Sequence, residues 1–305
     1  MTTALRADVE FDVRDDITLR GWLYRPAGDG PAPGIVMTHG FAGVKEAYLE
    51  PLAEAFVDAG FAVLLYDHRT WGASGGLPRH DLDPWRQVED MRTAVTFLRG
   101  RPEVDPARIG VWGTSYSGGH AIVVGALDDR VAAVVAQVPA VSSHQGSLRR
   151  STPEQVTGLL AAIDRDRVAT LAGAAPAVLP VTSGDPTRPA AFRSAEAIDF
   201  YDSPEVKAAG WVNEITLRSL DWSRGYEPGT FIRRVSPKPL LMIVARQDEL
   251  TPTDLALAAY EDALEPKKLV LIDGGHFTPY LRPGQDTAGF VAARDAAVAW
   301  FAEHL

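Results

Sequence analysis

Eight short apolar runs constrain this chain more than any other feature, because most are separated by segments with helical spacing. The first two run together: "ADVEFDV" alternates apolar and polar residues, and "ITLRGWLYRP" follows the turn signal "RDD". After them "GIVMTHG", "FAVLLYDHR", "RIGVWGTS" and "VAAVVAQVPA" are continuous apolar runs of strand length. Between these lie "EAYLEPLAEAFVDAG", "PWRQVEDMRTAVTFLRG" and "YSGGHAIVVGAL", which read as helices with Pro near the start or Gly at the end. The alternation resumes with "PLLMIVARQD", "TPTDLALAAYEDAL", "KKLVLIDGGH" and "DTAGFVAARDAAVAWFAEHL". Strands that are apolar throughout must be covered on both sides. The expectation is therefore an α/β fold, a mostly parallel central sheet with helices on both faces.

Residues 141–235 interrupt this grammar between the sixth and seventh runs. "STPEQVTGLLAAIDRDRVATLAG" and "SPEVKAAGWVNEITLRSLDWS" read as helices around a Pro-rich loop, "APAVLPVTSGDPTRPAA". The organisation expected is an α/β core made of residues 1–140 and 236–305, with 141–235 inserted as a helical cap or lid.

Several function classes are disfavoured or excluded. Thirty Lys and Arg against 40 Asp and Glu leave a formal charge of −10, the wrong sign for a phosphate-binding surface, so no nucleic-acid partner is expected. The chain has no cysteine, which removes disulfides, thiolate metal sites and a cysteine nucleophile. No ligand spacing of the H-E-x-x-H kind is present, and neither a metal nor a cofactor is expected. The opening "MTTALRADVEFDVRDD" has no apolar targeting core, and no apolar run reaches the ~18 residues of a membrane span. A cytoplasmic protein without a membrane partner is expected, and a homodimer is compatible with the sequence.

The chemistry concentrates in "GTSYSGGH", Gly113–His120. "RIGVWGTSYSGGHAIVV" reads as strand, sharp turn, helix, the context of a G-x-S-x-G nucleophile elbow. Gly113 lets the helix approach the strand, Ser115 takes the turn with its hydroxyl exposed, and Ser117 fills the crowded position two residues on. Serine needs a general base oriented by a third group. Of seven histidines, His276 in "GGHFTPY" follows the strand "KKLVLID" at its carboxyl end, where α/β ligands bind. His39 and His68 also end strands. His120 lies one turn into the helix and is expected to pack; His80, His144 and His304 lie in loops, the insertion or the chain end. Asp248 in "RQDELTP" ends another strand and is the expected acid, with Glu249 its rival and a helix-capping role its plainer alternative. Two backbone N–H groups are needed for a developing oxyanion. Tyr116, after the serine, and Phe41, in "HGFAG", are the expected donors.

In this order "HGF", "YDHR…G.SGG", "GTSYSGG", "RQDELTP" and "GGHF" resemble the α/β-hydrolase superfamily. The nearer likeness is to the bacterial branch around dienelactone hydrolases and the X-prolyl dipeptidyl peptidase/cocaine esterase group. "HGFAGVKE" and "DPWRQVEDMRTAV" are similar to polyketide transferases as well. The resemblance implies the α/β-hydrolase fold, Ser115 as nucleophile, Asp248 as acid, His276 as base, and Phe41 with Tyr116 as oxyanion donors. Ser117 departs from the pattern, since many members have glycine there. The reading that follows is a serine hydrolase cleaving a carboxylic ester or thioester of a small or medium acyl substrate through an acyl-enzyme. The alternatives are an acyltransferase of the polyketide-transferase kind and a ligand-binding protein on a retired hydrolase fold. Trp211, Trp222, Phe200 and Tyr201 are expected either to line a pocket under the insertion or, more simply, to pack its core.

Overall fold

The computed structural model describes residues 5–28 and 30–305. Its strands are β1 (Leu5–Val13), β2 (Ile17–Arg25), β3 (Ala32–Thr38), β4 (Ala62–Tyr66), β5 (Val104–Thr114), β6 (Ala133–Gln137), β9 (Leu240–Ala245) and β10 (Lys267–Ile272) in the main sheet, with a small pair β7 (Val178–Leu179) and β8 (Ile215–Thr216) elsewhere. The helices are α1 (Glu50–Asp58), α2 (Pro84–Arg99), α3 (Tyr116–Leu127), α4 (Ser143–Arg149), α5 (Pro153–Leu171), α6 (Ala195–Tyr201), α7 (Pro204–Ala208), α8 (Leu217–Arg224), α9 (Thr253–Asp262) and α10 (Ala288–His304). A 3-10 segment, Pro228–Arg234, follows α8.

The eight-stranded sheet has the order β1-β2-β4-β3-β5-β6-β9-β10. β2 runs antiparallel to both β1 and β4, and every other pairing is parallel. β4, β6 and β9 are buried at every residue. Their unbroken apolar sequences follow from this, since neither face of these strands meets water. α1 and α10 pack together on one face, while α2, α3, the 3-10 segment and α9 form a contiguous layer on the other.

Local signals set the helix ends. Pro84 opens α2 after Asp83, whose carboxylate accepts from the N–H groups of Trp85 and Arg86 at 3.0 and 3.2 Å. Val88, Met91, Ala94, Val95 and Leu98 then recur at helical spacing and are all buried. Thr152 and Gln155 form a capping box at the start of α5.

The chain order produces a switch beside β3. After β3 the chain adds β4 on one side, then returns to place β5 on the other. Crevices for ligands open at the carboxyl ends of strands at such a point. Here those ends are the loop after Thr38 and the turn at Ser115.

The segment between β6 and β9 holds α4 to α8, the β7–β8 pair and the 3-10 segment. The single helix expected over 203–223 is instead α7, a turn through Gly210, β8 and α8. The β-branched pair Ile215–Thr216 is drawn out of helix by pairing with Leu179 and Val178. No helix among the described residues is long and apolar enough to cross a membrane.

Candidate active site

Ser115 is the one residue between β5 and α3. Its backbone sits at φ 57° and ψ −118°, a region that costs a non-glycine residue roughly 1–3 kcal/mol. Hydrogen bonds hold it there. Its N–H donates to the Gln137 carbonyl at 2.8 Å, and its carbonyl accepts from Ala140 N–H at 2.9 Å and Gly119 N–H at 3.3 Å. Gly113 is required by the same turn, because a Cβ there would lie 1.9 Å from the Ser117 carbonyl oxygen.

The side chains of Ser115, His276 and Asp248 meet above the strand ends. His276 Nε2 lies 2.9 Å from Ser115 Oγ, and His276 Nδ1 lies 2.7 Å from Asp248 Oδ2. His276 is 1% exposed and Asp248 7%, so this relay is shielded from water. Asp248 Oδ1 also accepts from the N–H groups of Leu250 and Thr251 at 2.9 and 2.8 Å. The two alternatives for Asp248 are thus combined: it orders the turn before α9 and faces the imidazole. Glu249, the rival acid, is exposed at the outer cleft. Thr251 is a member that the sequence reading missed. Its hydroxyl donates to Asp248 Oδ2 at 2.8 Å and lies 3.3 Å from His276 Nδ1.

The loop after β3 closes against the serine. A Cβ on Gly40 would be 2.8 Å from Ser115 Cβ, so the backbone passes directly beside the hydroxyl. The rings of Phe41 and Tyr116 meet edge-on at 5.4 Å across this point. Among the described residues, neither the Phe41 nor the Tyr116 amide has an acceptor, which leaves both N–H groups free for a ligand oxygen.

This constellation can be compared with known proteins. Residues 33–283 match the family model described as the alpha/beta hydrolase fold. The chain belongs to the α/β hydrolase fold family. It is 35% identical over 284 residues to the polyketide transferase ATR5 of Stachybotrys chlorohalonatus, covering 90% of this chain and 91% of that one. It is 34% identical to the thiohydrolase aneE of Aspergillus aculeatus, over 86% of this chain and 83% of that one. The crystal structure of the alpha/beta hydrolase GrgF from Penicillium sp. sh18 superposes with a TM-score of 0.83 at 30% identity, over 98% of this chain and 99% of that one.

In this hydrolase the two other strand-end histidines, His39 and His68, do not join the Ser115–His276–Asp248 contact and instead pack with His120 of α3. His39, His68 and His120 form a buried row, with ring centroids 4.7 and 5.5 Å apart. Ser117 is built into the row. Its hydroxyl donates to the His39 carbonyl and accepts from His68 Nε2 at 2.8 Å, which makes His68 the Nε2–H tautomer. His120 donates from Nε2 to Gln87 Oε1 at 3.0 Å and accepts from the Tyr226 hydroxyl at 2.6 Å. Burial holds His39 below the usual imidazole range, drives His68 well below it and pushes His120 down to about 3. All three are neutral at pH 7.

The loop carrying Phe41 is gripped from two sides. From the core, the buried carboxylate of Asp67 accepts from Lys45 N–H at 2.7 Å and Lys45 Nζ at 2.9 Å. From the inserted segment, the Tyr201 hydroxyl donates to the Phe41 carbonyl, and Trp211 Nε1–H donates to the Ala42 carbonyl at 2.7 Å. Tyr201 and Trp211 stack with centroids 5.1 Å apart. Phe200 and Tyr201 also border a small cavity at His276, whereas Trp222 is 36% exposed beneath Arg218. The inserted segment reaches the His276 loop too, where Glu196 Oε1 accepts from Phe277 N–H at 2.9 Å. On the other side of Ser115 lies an open cleft whose walls include Val141, Leu159, Phe192, Leu220 and Leu255.

Proposed function

We propose that this protein is a serine hydrolase that cleaves a carboxylic ester or thioester of a small or medium acyl substrate through an acyl-enzyme on Ser115. The single observation that carries the reading is the unbroken relay from Ser115 Oγ through His276 to Asp248, at 2.9 and 2.7 Å, on a strained strand-to-helix turn. Relatives named thiohydrolase and polyketide transferase support a carbonyl bonded to sulfur or oxygen as the reacting group.

His276 Nε2 takes the hydroxyl proton as Ser115 Oγ attacks the carbonyl carbon. Asp248 holds the imidazole with Nδ1 protonated and offsets the imidazolium charge. The Phe41 and Tyr116 amides receive the oxyanion. The leaving alcohol or thiol departs with the proton from His276, and water, deprotonated by the same nitrogen, releases the acid. Residues 141–235 act as a cap whose apolar cleft takes the acyl chain. Transfer of the acyl group to an alcohol or amine uses the same steps with a different second nucleophile, and the relatives named polyketide transferase favour keeping this reading.

The test is hydrolysis of p-nitrophenyl butyrate and a butyryl thioester by the wild type and Ser115→Ala, with fluorophosphonate labelling read by intact mass. The wild type gains one adduct and the variant loses both label and turnover. Retained turnover in a folded Ser115→Ala overturns the nucleophile. An added amine that diverts product from acid to amide selects transfer.

A further inference from the structure

Arg150, just past the end of α4, is out of keeping with its surroundings. It borders the cleft that also contains Ser115, Phe41 and Tyr116, and it borders the wider outer cleft as well. Its guanidinium donates from one terminal nitrogen to the Leu250 carbonyl and sits 5.4 Å from the centre of the Phe192 ring. Its Nε is buried without a hydrogen-bond partner. No carboxylate pairs with it among the described residues, whereas its neighbour Arg149 is paired with Asp254. Desolvation lowers its pKa to about 10 against the opposing charge of Asp248, which is already engaged by His276. The group is therefore a cation at neutral pH, partly buried between the Phe192 ring and the Leu250 carbonyl, with donors to spare.

A partly buried cation with no carboxylate partner and a buried, unpaired Nε is costly unless something completes it. A planar guanidinium is best completed by a carboxylate or phosphate, whose two oxygens match its fork. Arg165 and Arg193, on the outer cleft, likewise pair with no carboxylate among the described residues. Unpaired guanidinium groups thus outnumber carboxylates along the outer cleft, where Glu249 is the exposed acid and which adjoins the Ser115 cleft at Arg150 and Phe192, in a protein of net charge −10. Such a cleft draws anionic substrates in.

We propose that Arg150 is a specificity-determining residue that binds an anionic oxygen group of the substrate, so that the preferred ester or thioester carries a carboxylate or phosphate away from the scissile carbonyl. The inference rests on the acyl-transfer reading above. Two sources supply that chemistry: a carboxylate at the far end of the acyl chain, and a phosphate on the thiol leaving group.

The experiment compares matched neutral and anionic substrates. The acyl arm is p-nitrophenyl hexanoate against p-nitrophenyl hydrogen adipate. The leaving-group arm is the hexanoyl thioester of N-acetylcysteamine against hexanoyl coenzyme A. Wild type, Arg150→Met and Arg150→Lys are measured. The expected result is a preference of about tenfold or more in kcat/KM for the anionic member of one arm, lost in Arg150→Met and partly kept in Arg150→Lys. Turnover of the neutral esters should stay within about threefold, which also shows that the variant is folded. No anionic preference in either arm overturns the proposal. So does a variant that slows neutral and anionic substrates alike, since Arg150 would then only support the Leu250 turn. Calorimetric binding of adipate, hexanoate and coenzyme A to wild type and Arg150→Met needs no turnover. It decides the role of Arg150 even if Ser115 proves not to be the nucleophile.

Discussion

Ser117 offers the sharpest test of how the loop beside Ser115 is held. Ser117→Ala removes one hydroxyl and nothing else. That hydroxyl donates to the His39 carbonyl, the first carbonyl after β3, and accepts from His68 Nε2. All three residues are 3% exposed or less, so water cannot take over either partner. His68 Nδ1 already lacks a partner, and the substitution leaves the whole imidazole unpaired. Leaving a buried polar group unsatisfied costs about 1–3 kcal/mol, so two such groups cost roughly 2–5 kcal/mol after partial relaxation. At about 2 °C per kcal/mol for a chain of this size, the melting temperature should fall by roughly 4–10 °C. The loop keeps its Asp67, Tyr201 and Trp211 contacts, so kcat should fall only about threefold to tenfold, equivalent to about 1 kcal/mol of displaced oxyanion donor. Ser117→Gly opens space of about one water, which can bridge His39 and His68, and should lose less than half as much stability. Differential scanning fluorimetry and p-nitrophenyl butyrate kinetics on both variants decide the matter. A Ser117→Ala within about 1 °C of wild type, or a Ser117→Gly less stable than Ser117→Ala, would refute the reasoning.

Three further outcomes are expected. Gly113→Ala forces a Cβ against the Ser117 carbonyl oxygen and should cost about 3 kcal/mol or more, while Gly158→Ala, in α5 with open space around it, should gain up to about 1 kcal/mol in chemical denaturation. Trp211→Phe removes the donor to the Ala42 carbonyl and should lower kcat about threefold to thirtyfold with KM little changed, measured under saturation. Stability should drop as pH falls below about 6.5, because the unfolded chain then protonates histidines that the fold keeps neutral; each contributes up to about 1.4 kcal/mol per pH unit, for His120 down to about 3, and His120→Gln should flatten the slope by about one proton in urea unfolding between pH 5 and 7.

The legibility of this molecule follows the range of its interactions. The Ser115 turn is written locally: an apolar strand, a glycine that admits the helix, and the helix itself are contiguous from 104 to 127. Asp248 and His276 were readable because each lies just past the carboxyl end of an apolar strand, β9 or β10, and parallel strands bring their carboxyl ends to one edge. What could not be read joins residues far apart. Ser117 bonds His39 and His68 over separations of 78 and 49 residues, and Tyr201 reaches Phe41 over 160. The sequence therefore showed Ser117 only as a small residue in a crowded place. Thr251 is the exception that a closer local reading could have found, since a hydroxyl three residues after Asp248 can fold back onto its carboxylate. The helix expected over 203–223 failed because strand pairing with Leu179 and Val178, 36 and 38 residues away, overrode local propensity.

These contacts divide the inserted segment into two parts with different work. α4, α5 and α8 wall the cleft through Gly146, Leu159 and Leu220, and among the described residues they make no hydrogen bond to the Phe41 or His276 loops. α6 and Trp211 do the opposite. Tyr201, Trp211 and Glu196 hold the Phe41 loop and the His276 loop by polar bonds, while Ser115 is held by Gln137 and Ala140 of the α/β core. On the proposed mechanism, the nucleophile is therefore positioned by one part of the chain and its oxyanion donor and base are adjusted by another. Substitutions at Leu159 or Leu220 should change which acyl chain fits and act mainly on KM. Substitutions at Tyr201, Trp211 or Glu196 should misplace donors and base relative to a fixed serine and act mainly on kcat, because catalytic geometry tolerates little displacement. The cleft walls can vary with the substrate, whereas α6 must keep its grip for any acyl group to react.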